Sequence, residues 1–276
     1  MHSASNGHTG AQKPTKVLIL AAGLGTRLRP LTERVPKCLV PIAGRPLLAY
    51  WFDRLAEAGL RLRDVLINTH YLPEQVRAFI ADVNREGRFY VRETYEPELL
   101  GSAGTVRANR EFVCDADDCL IIYADNLSDV HLGDMIHFHR SHGDPFTIML
   151  FRAPRPRECG IAELDASGRV VAFTEKPHAP GSDLANAGVY VVSADAYRQI
   201  ADADKKDLGF DVLPAFVGRM RGWVWPGYHL DVGTPQALQQ AQADAPRVFG
   251  TSNGESPSGP PCSSTEMAPS SSRSTT

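Results

Sequence analysis

A continuous apolar run near the start of the chain is followed at once by a glycine-rich loop. Residues 17–22, VLILAA, contain no polar side chain, which is the pattern of a central parallel strand covered on both faces. Gly23 and Gly25 follow this run. Glycines just past a buried strand let backbone N–H groups come close to a bound polyphosphate. The sequence therefore predicts a strand that leads into a phosphate-binding loop.

Strand-like and helix-like segments alternate through the first half of the chain. The predicted helices cover residues 46–60, 72–83 and 105–112, and the predicted strands cover residues 64–69, 89–94 and 119–123. This alternation predicts an α/β fold with a doubly wound, mixed and mostly parallel sheet. Because ligands bind outside the carboxyl ends of the strands in such sheets, the glycine-rich loop and Asp125 are expected at one crevice.

The second half of the chain is richer in predicted strands. They cover residues 146–152 and 187–192, with a strand–turn–strand unit over 161–175 and an extended segment over 223–231. Helices are expected through Tyr197, over 211–219 and over 235–243. No hexapeptide pattern of a β-helix is present, and too little chain remains to hold one, so we expect no β-helix domain.

The composition of the two ends differs from that of the region between them. Residues 1–15 are rich in Ser, Gly, His, Thr and Asn, and residues 249–276 are nearly all Ser, Thr, Pro or Gly. Such segments cannot bury enough apolar surface to offset the entropy lost on ordering. We therefore predict one folded domain over residues 16–248 between two disordered tails.

Composition also limits the location and the partners of the protein. The formal net charge of −3 lacks the basic excess with which general nucleic-acid binders neutralise phosphates. No apolar run approaches the roughly 20 residues of a membrane span, and the first 16 residues lack the apolar stretch of a signal peptide. The five cysteines form no Cys-x-x-Cys pair and are interpreted as reduced thiols of a cytoplasmic protein.

Two cations accompany the glycine-rich loop. Arg27 offers a planar fork for phosphate oxygens, and Lys37 offers a compact charge on a flexible stem. The loop lacks the Gly-x4-Gly-Lys-[Ser/Thr] pattern of a P-loop. It matches the dinucleotide-binding fingerprint only in part, because Leu28 takes the third glycine position and the second strand ends at Asn68 and Thr69 without an acidic residue.

Six motifs, in one order along the chain, resemble those of the sugar-1-phosphate nucleotidyltransferases, the nucleotide-sugar pyrophosphorylase family. They are residues 21–41, LGSAGT at 100–105, YADN at 123–126, FTEKP at 173–177, NAGVY at 186–190 and LDVGTP at 230–235. Within the family, the LGSAG form and the short chain are most similar to mannose-1-phosphate guanylyltransferase-like members. Thymidylyltransferases and uridylyltransferases remain open as alternatives.

The resemblance implies a Rossmann-like nucleotidyltransferase fold with a small sugar-binding subregion. It also implies a reaction in which a sugar 1-phosphate and a nucleoside triphosphate give a nucleotide-sugar and pyrophosphate. The partners would be these two substrates, with GTP and a mannose-type sugar 1-phosphate as the favoured pair, and neither a nucleic acid nor a membrane. The oligomeric state is left open, a homo-oligomer included.

The resemblance assigns roles to residues of this chain. Arg27, Lys37 and Asp125 would be catalytic, and Asp125 and Asp231 would hold the cofactor Mg²⁺. The residues expected to bind the nucleotide are Ala22, Gly23, Gly25, Thr26, Gly101 and Gly104. The residues expected to bind the sugar phosphate are Gly160, Glu175, Lys176 and Asn186.

Two positions depart from the family pattern. Ala124 stands where many members have glycine, and Ser102 replaces a common threonine, but both changes are small and leave the expected ligands intact. A catalytically silent paralogue that binds a nucleotide-sugar and regulates a partner enzyme is the alternative from a different functional class. The presence of all the expected cations and aspartates favours the enzyme.

Two other clusters are interpreted as structural. His137, His139 and His142 do not have the His-x3-His spacing of a helical metal site, and no Cys or carboxylate set completes a cage, so we predict a solvated helix face. Trp223 and Trp225 alternate along a predicted strand and are expected to pack rather than to bind sugar.

Overall fold

The computed structural model describes residues 13–58 and 64–250. The strands are β1 Thr15–Leu20, β2 Pro41–Ile42, β3 Arg45–Pro46, β4 Asp64–Thr69, β5 Tyr90–Tyr95, β6 Asp118–Tyr123, β7 Asn126–Ser128, β8 Phe146–Arg152, β9 Gly160–Leu164, β10 Val170–Glu175, β11 Leu184–Ser193, β12 Met220–Val224 and β13 His229–Asp231. The α-helices are α1 Leu47–Glu57, α2 Pro73–Arg85, α3 Ser102–Ala108, α4 Leu132–Ser141, α5 Ala194–Asp202 and α6 Pro235–Phe249. Most of both predicted tails lies outside the described residues.

A mixed sheet of nine strands forms the centre of the fold. β1 lies between β4 and β6 and is parallel to both, and β5 extends this parallel half beyond β4. On the other side, β11 pairs antiparallel with β6 and β8, and β9 and β10 form an antiparallel pair. The predicted α/β fold with a mixed sheet is therefore confirmed, and its parallel half carries the glycine-rich loop.

Alternate residues of β1 belong to hydrophobic cores on opposite faces of the sheet. Leu18 packs in the core that contains Tyr190, whereas Val17 and Ile19 pack in the core that contains Trp51 of α1. All three β1 side chains are fully buried. Because both faces of β1 are covered, its sequence is continuously apolar rather than alternating.

The predicted helix over residues 211–219 is wrong. The chain instead forms a π-helix, Leu208–Val212, followed by a 3₁₀ helix, Leu213–Phe216. Pro214 has no backbone N–H and its ring obstructs the preceding turn, which explains why a regular α-helix does not continue here. The extended segment predicted over 223–231 is also interrupted, because β12 ends at Val224 and β13 begins at His229.

The histidine cluster is less solvated than predicted. His139 of α4 is only 5% exposed, and its Nδ1 lies 2.8 Å from the Thr147 hydroxyl of β8. Burial lowers the pKa of His139 to about 4, so its ring is neutral near pH 7. His142 lies 2.9 Å from the same hydroxyl. The prediction of a solvated face is therefore wrong for these two residues, because β8 offers them a buried polar partner.

The two tryptophans pack as predicted. The rings of Trp223 and Trp225 stack with their centroids 5.5 Å apart, and both contact the core that contains Trp51.

None of the helices in residues 13–58 and 64–250 is long and apolar enough to cross a membrane.

Candidate active site

Two cavities lie side by side at the carboxyl ends of β1 and β6. The first, which we call the loop cavity, has a volume of about 220 Å³ and is bordered by the glycine-rich loop and the start of α3. The second, which we call the strand cavity, has a volume of about 320 Å³ and is bordered by β9, β10 and β11. Tyr123, Asp125 and Asp207 line both cavities.

A lysine lies between two carboxylates at the junction of the cavities. Lys37 Nζ is 2.5 Å from Asp125 Oδ2 and 3.5 Å from Asp231 Oδ1. Arg27 approaches from the solvent side, with Nη2 4.0 Å from Asp231 Oδ2. The structure thus brings together Arg27, Lys37, Asp125 and Asp231, which the sequence predicted to share one site.

Strand pairing explains how two aspartates so distant in sequence converge. Asp125 follows the end of β6 by two residues, and Asp231 is the last residue of β13. β13 pairs antiparallel with β7, which places Asp231 opposite Asn126. The Val232 N–H also donates to the Asp125 carbonyl at 3.0 Å. The hydrogen bonds of this short ladder therefore hold the two carboxylates on the same side of the crevice.

The protein environment makes negative charge costly on Asp231. Its side chain is 56% exposed, yet it faces the cleft rather than open solvent. Partial desolvation raises the pKa of Asp231, and the charge of Asp125 raises it further, whereas Lys37 and Arg27 oppose the rise. Two carboxylates in this position attract a cation, because a nearby positive charge offsets their repulsion.

The donor set at this junction fits Mg²⁺. Mg²⁺ binds through one or two carboxylates and completes its octahedron with water and substrate phosphate oxygens. Asp125 and Asp231 supply carboxylate oxygens, and the lysine between them demonstrates that the pair accommodates positive charge. Within residues 13–58 and 64–250 no group of three or more His, Cys, Asp or Glu residues could hold a metal alone. A metal here would thus depend on ligands from the substrates or from water.

The structure divides the predicted nucleotide-binding residues into two groups. Ala22, Gly23 and Gly101 line the loop cavity. Gly101 has a φ of +78°, and a Cβ there would overlap the Lys206 carbonyl oxygen, so only glycine fits. The main role of Gly101 in the structure is therefore to let the Lys206 backbone come close to it.

The other predicted nucleotide-binding residues, Gly25, Thr26 and Gly104, do not line either cavity. Gly25 has a φ of +62°, and a Cβ there would lie 2.9 Å from the Thr32 methyl group. It caps the 3₁₀ helix that begins at Thr26. Gly104 is buried in α3, where a Cβ would lie 3.0 Å from the Leu100 side chain. These residues shape the backbone around the cavity.

A buried polar network at the loop cavity was missed by the sequence analysis. Glu96 is 2% exposed, and its Oε1 accepts hydrogen bonds from Asn68 Nδ2 at 2.9 Å and Thr105 Oγ1 at 2.5 Å. Asn68 Oδ1 accepts from the Ala21 N–H at 2.6 Å. Asn68 therefore links Glu96 to the start of the glycine-rich loop. Asn68 lies at the carboxyl end of β4. The rule that ligands bind at such strand ends, which identified Asp125, could therefore have identified Asn68 as well.

All four predicted sugar-phosphate-binding residues line the strand cavity. Burial raises the pKa of the Glu175 carboxyl. A Cβ on Gly160 would overlap Glu175 Oε2, so this glycine makes room for that carboxylate. The Asn186 amide donates to Tyr190 Oη at 2.8 Å and accepts from the Gly188 N–H at 3.0 Å. Asn186 is thus already held in place by the protein.

A third cavity, of about 670 Å³, lies away from this crevice between β5 and the segment after α3. Three cations line it, and each pairs with carboxylates of the protein: Lys16 with Asp64 and Asp115, Arg92 with Asp64, and Arg110 with Glu111 and Asp202. Lys16 lies at the amino end of β1, whereas ligands of such sheets bind at the carboxyl ends of the strands, so the junction of the loop and strand cavities is the better candidate site.

Comparison with known proteins identifies a family for nearly all of the described residues. A family model described as "Nucleotidyl transferase" matches residues 16–247. Mannose-1-phosphate guanylyltransferase of Mycobacterium tuberculosis is 33% identical over 234 residues. The alignment covers 83% of this chain and 64% of that relative, so the chain spans less than two thirds of the relative's length.

Solved structures share the fold. A structure described as a "Putative Glucose-1-Phosphate Thymidylyltransferase" from Bacillus anthracis, in complex with a sucrose, superposes with a TM-score of 0.76 at 21% identity and covers 87% of this chain and 98% of its own. HddC from Yersinia pseudotuberculosis, complexed with GMP-PN, superposes with a TM-score of 0.68 at 24% identity, over 83% of this chain and 99% of its own.

Proposed function

Because the chain belongs to the nucleotidyl transferase family, we propose that it transfers a nucleotidyl group from a nucleoside triphosphate to a sugar 1-phosphate, with release of pyrophosphate. The observation that carries the proposal is the position of Lys37 Nζ, which lies between Asp125 and Asp231 where the two cavities meet. One cavity would take the triphosphate and the other would take the sugar 1-phosphate, so their reacting phosphates would meet beside this cation.

The chemistry requires positioning and neutralisation of charge rather than a general base. A phosphate oxygen of the sugar 1-phosphate attacks the α-phosphorus, the bond from that phosphorus to the β-phosphate bridging oxygen breaks, and pyrophosphate leaves. The attacking oxygen is already anionic at neutral pH. Arg27 would hold the leaving phosphates, and Lys37 would contact the reacting phosphates. Lys176 would bind the phosphate of the sugar and Glu175 its hydroxyl groups.

Asp125 and Asp231 would hold Mg²⁺. When bound, the metal supplies Lewis-acid neutralisation of the charge that develops on the phosphate oxygens. The raised pKa of Asp231 supports this role, because a carboxylate destabilised by desolvation and by a neighbouring carboxylate is stabilised by an added cation.

Glu96 favours guanine as the base. Guanine presents two adjacent donors, N1–H and N2–H, and either of them can donate to a carboxylate oxygen. Thymine and uracil present one donor between two carbonyl groups, which a carboxylate repels. Glu96 Oε2 accepts a 3.2 Å hydrogen bond from the Leu100 N–H and retains a further lone pair at the loop cavity. The name of the mycobacterial relative also supports GTP and mannose 1-phosphate as the pair.

Glu96→Gln is expected to lower kcat/KM for GTP by at least about tenfold, since one charged acceptor becomes a donor. The preference for GTP over UTP should fall with it. Glu98→Gln is the matched control, because Glu98 is exposed in the same loop and lines neither cavity. Equal discrimination between GTP and UTP by wild type and Glu96→Gln would remove Glu96 from base recognition.

The proposed function is tested by offering each nucleoside triphosphate with a panel of sugar 1-phosphates and measuring pyrophosphate release in the presence of Mg²⁺. Turnover is expected, with GTP and mannose 1-phosphate as the best pair. A better rate with dTTP or UTP would keep the reaction class and overturn the choice of base. A folded protein that turns over no pair would overturn the proposal.

The cytoplasmic location inferred from the cysteines stays a prediction.

A further inference from the structure

One aromatic ring of the strand cavity is not buried by any apolar cluster of residues 13–58 and 64–250. Phe210 lines this cavity together with Glu175, Lys176 and Asn186. Its side chain is 60% exposed, and it belongs to none of the hydrophobic clusters of the described residues. Exposure of a large apolar side chain to water is unfavourable, so a ring kept at the cavity is available to cover an apolar surface of a ligand.

The backbone holds Phe210 at the cavity. It belongs to the π-helix Leu208–Val212, and Asp207 Oδ1 accepts a hydrogen bond from its N–H at 2.9 Å. Asp207 Oδ2 accepts from the Ser102 hydroxyl at 3.1 Å. Asp207 lines both cavities, so the segment that presents the ring is tied to the start of α3 beside the loop cavity.

The ammonium group of Lys176 lies over the face of the Phe210 ring. Its Nζ is 6.0 Å from the centroid of the Phe210 ring. Lys176 has a φ of 49° although it is not glycine, a conformation that costs energy and is concentrated at functional sites. The Lys176 N–H donates to the Cys159 carbonyl at 3.0 Å, which helps to hold this conformation. The aromatic ring and the ammonium group are therefore adjacent in the wall of the strand cavity.

We propose that Phe210 is a specificity-determining residue that stacks on a C–H face of the sugar ring while Lys176 binds the phosphate of the same molecule. This inference rests on the proposed function. The C–H groups of a pyranose carry partial positive charge, which is attracted to the electron-rich face of an aromatic ring. The acceptor class is thus a pyranose 1-phosphate that turns a face without axial hydroxyl groups to Phe210, with its hydroxyl groups directed to Glu175.

Phe210→Ala is expected to raise KM for the sugar 1-phosphate about three- to tenfold, with KM for the nucleoside triphosphate unchanged. Phe210→Tyr should retain the wild-type KM for the sugar 1-phosphate. The KM of Phe210→Leu should lie between those of wild type and Phe210→Ala. Because the ring is exposed, these variants should fold. Tyr90→Ala is the matched control, since Tyr90 is 61% exposed, also contacts a cation, Arg92, and lines neither cavity. An unchanged KM for the sugar 1-phosphate in Phe210→Ala would overturn the inference and leave the proposed function standing.

Inhibition by inorganic phosphate distinguishes stacking of Phe210 on the sugar from an indirect effect of Phe210 through Lys176, because phosphate has no sugar ring. Its inhibition constant against the sugar 1-phosphate should be the same in wild type and Phe210→Ala. Weaker inhibition of the variant would mean that Phe210 acts by placing Lys176, and would overturn stacking.

Proton NMR of mannose 1-phosphate with the full chain gives a readout without turnover. The ring C–H resonances should shift upfield with wild type and not with Phe210→Ala. If wild type turns over no substrate pair, the proposed function fails, but the upfield shift still tests the inference. A shift that is present with wild type and lost with Phe210→Ala supports stacking. A shift that is absent with wild type, or that persists with Phe210→Ala, overturns stacking.

Discussion

Asp125→Asn is expected to lower kcat of the proposed reaction by at least about a hundredfold. The substitution preserves the shape of the side chain, and the amide oxygen still accepts a hydrogen bond from Lys37 Nζ. It removes one of the two negative charges that contact Lys37. The Mg²⁺ concentration for half-maximal rate should therefore increase, because the remaining carboxylate attracts the ion less strongly.

The measurement is initial-rate kinetics as a function of Mg²⁺, with thermal unfolding to confirm that the variant is folded. Asp134→Asn is the matched control, since the Asp134 side chain is 73% exposed on α4 and lines neither cavity. A near-normal kcat for Asp125→Asn, or a half-maximal Mg²⁺ concentration equal to that of wild type, would remove Asp125 from the metal-binding role.

The parallel half of the sheet could be predicted because its signals are local. The apolar run of β1 and the helical spacing of apolar residues in α1 each depend on which faces are buried. The segment around Leu208–Val212 could not be predicted in this way. Its conformation depends on Asp207 as a helix cap and on the contact with Ser102, and Ser102 is more than 100 positions away in sequence.

The charged residues at the junction of the two cavities were easier to predict than the glycines around it. Asp125 follows a strand end, where ligands bind in this class of sheet, and the structure places it within 2.5 Å of Lys37. The role of a glycine depends instead on what lies opposite it. Gly101 faces the Lys206 carbonyl, and Gly160 faces the carboxylate of Glu175. These contacts between distant segments are visible only in the folded chain.

The buried acid of the loop cavity illustrates the same limit. Glu96 follows β5 directly, so its position at a strand end was visible. Its neighbours Asn68 and Thr105 come from β4 and α3, and a carboxylate in an exposed-looking loop sequence gives no sign of burial. The geometry that makes Glu96 a candidate for base recognition therefore arises from packing between three elements.

Lys37→Met is expected to lower kcat about a thousandfold, the largest effect predicted for this chain. Methionine keeps an unbranched side chain of similar length, and the substitution removes the cation that, in residues 13–58 and 64–250, contacts both Asp125 and Asp231. The repulsion between the two carboxylates is then less compensated, so the pKa of Asp231, already raised by desolvation and by Asp125, should rise further.

The Mg²⁺ concentration for half-maximal rate should not increase in Lys37→Met, in contrast to the increase expected for Asp125→Asn. Loss of a competing positive charge should leave the half-maximal Mg²⁺ concentration unchanged or lower, although kcat falls, because the lysine acts on the phosphates and the aspartates act on the metal. Lys205→Met, at an exposed lysine that lines neither cavity, is the control and should retain wild-type kinetics. Recovery of the Lys37→Met rate at high Mg²⁺ would show that the two cations are interchangeable, which contradicts a separate role for Lys37 in neutralising the reacting phosphates.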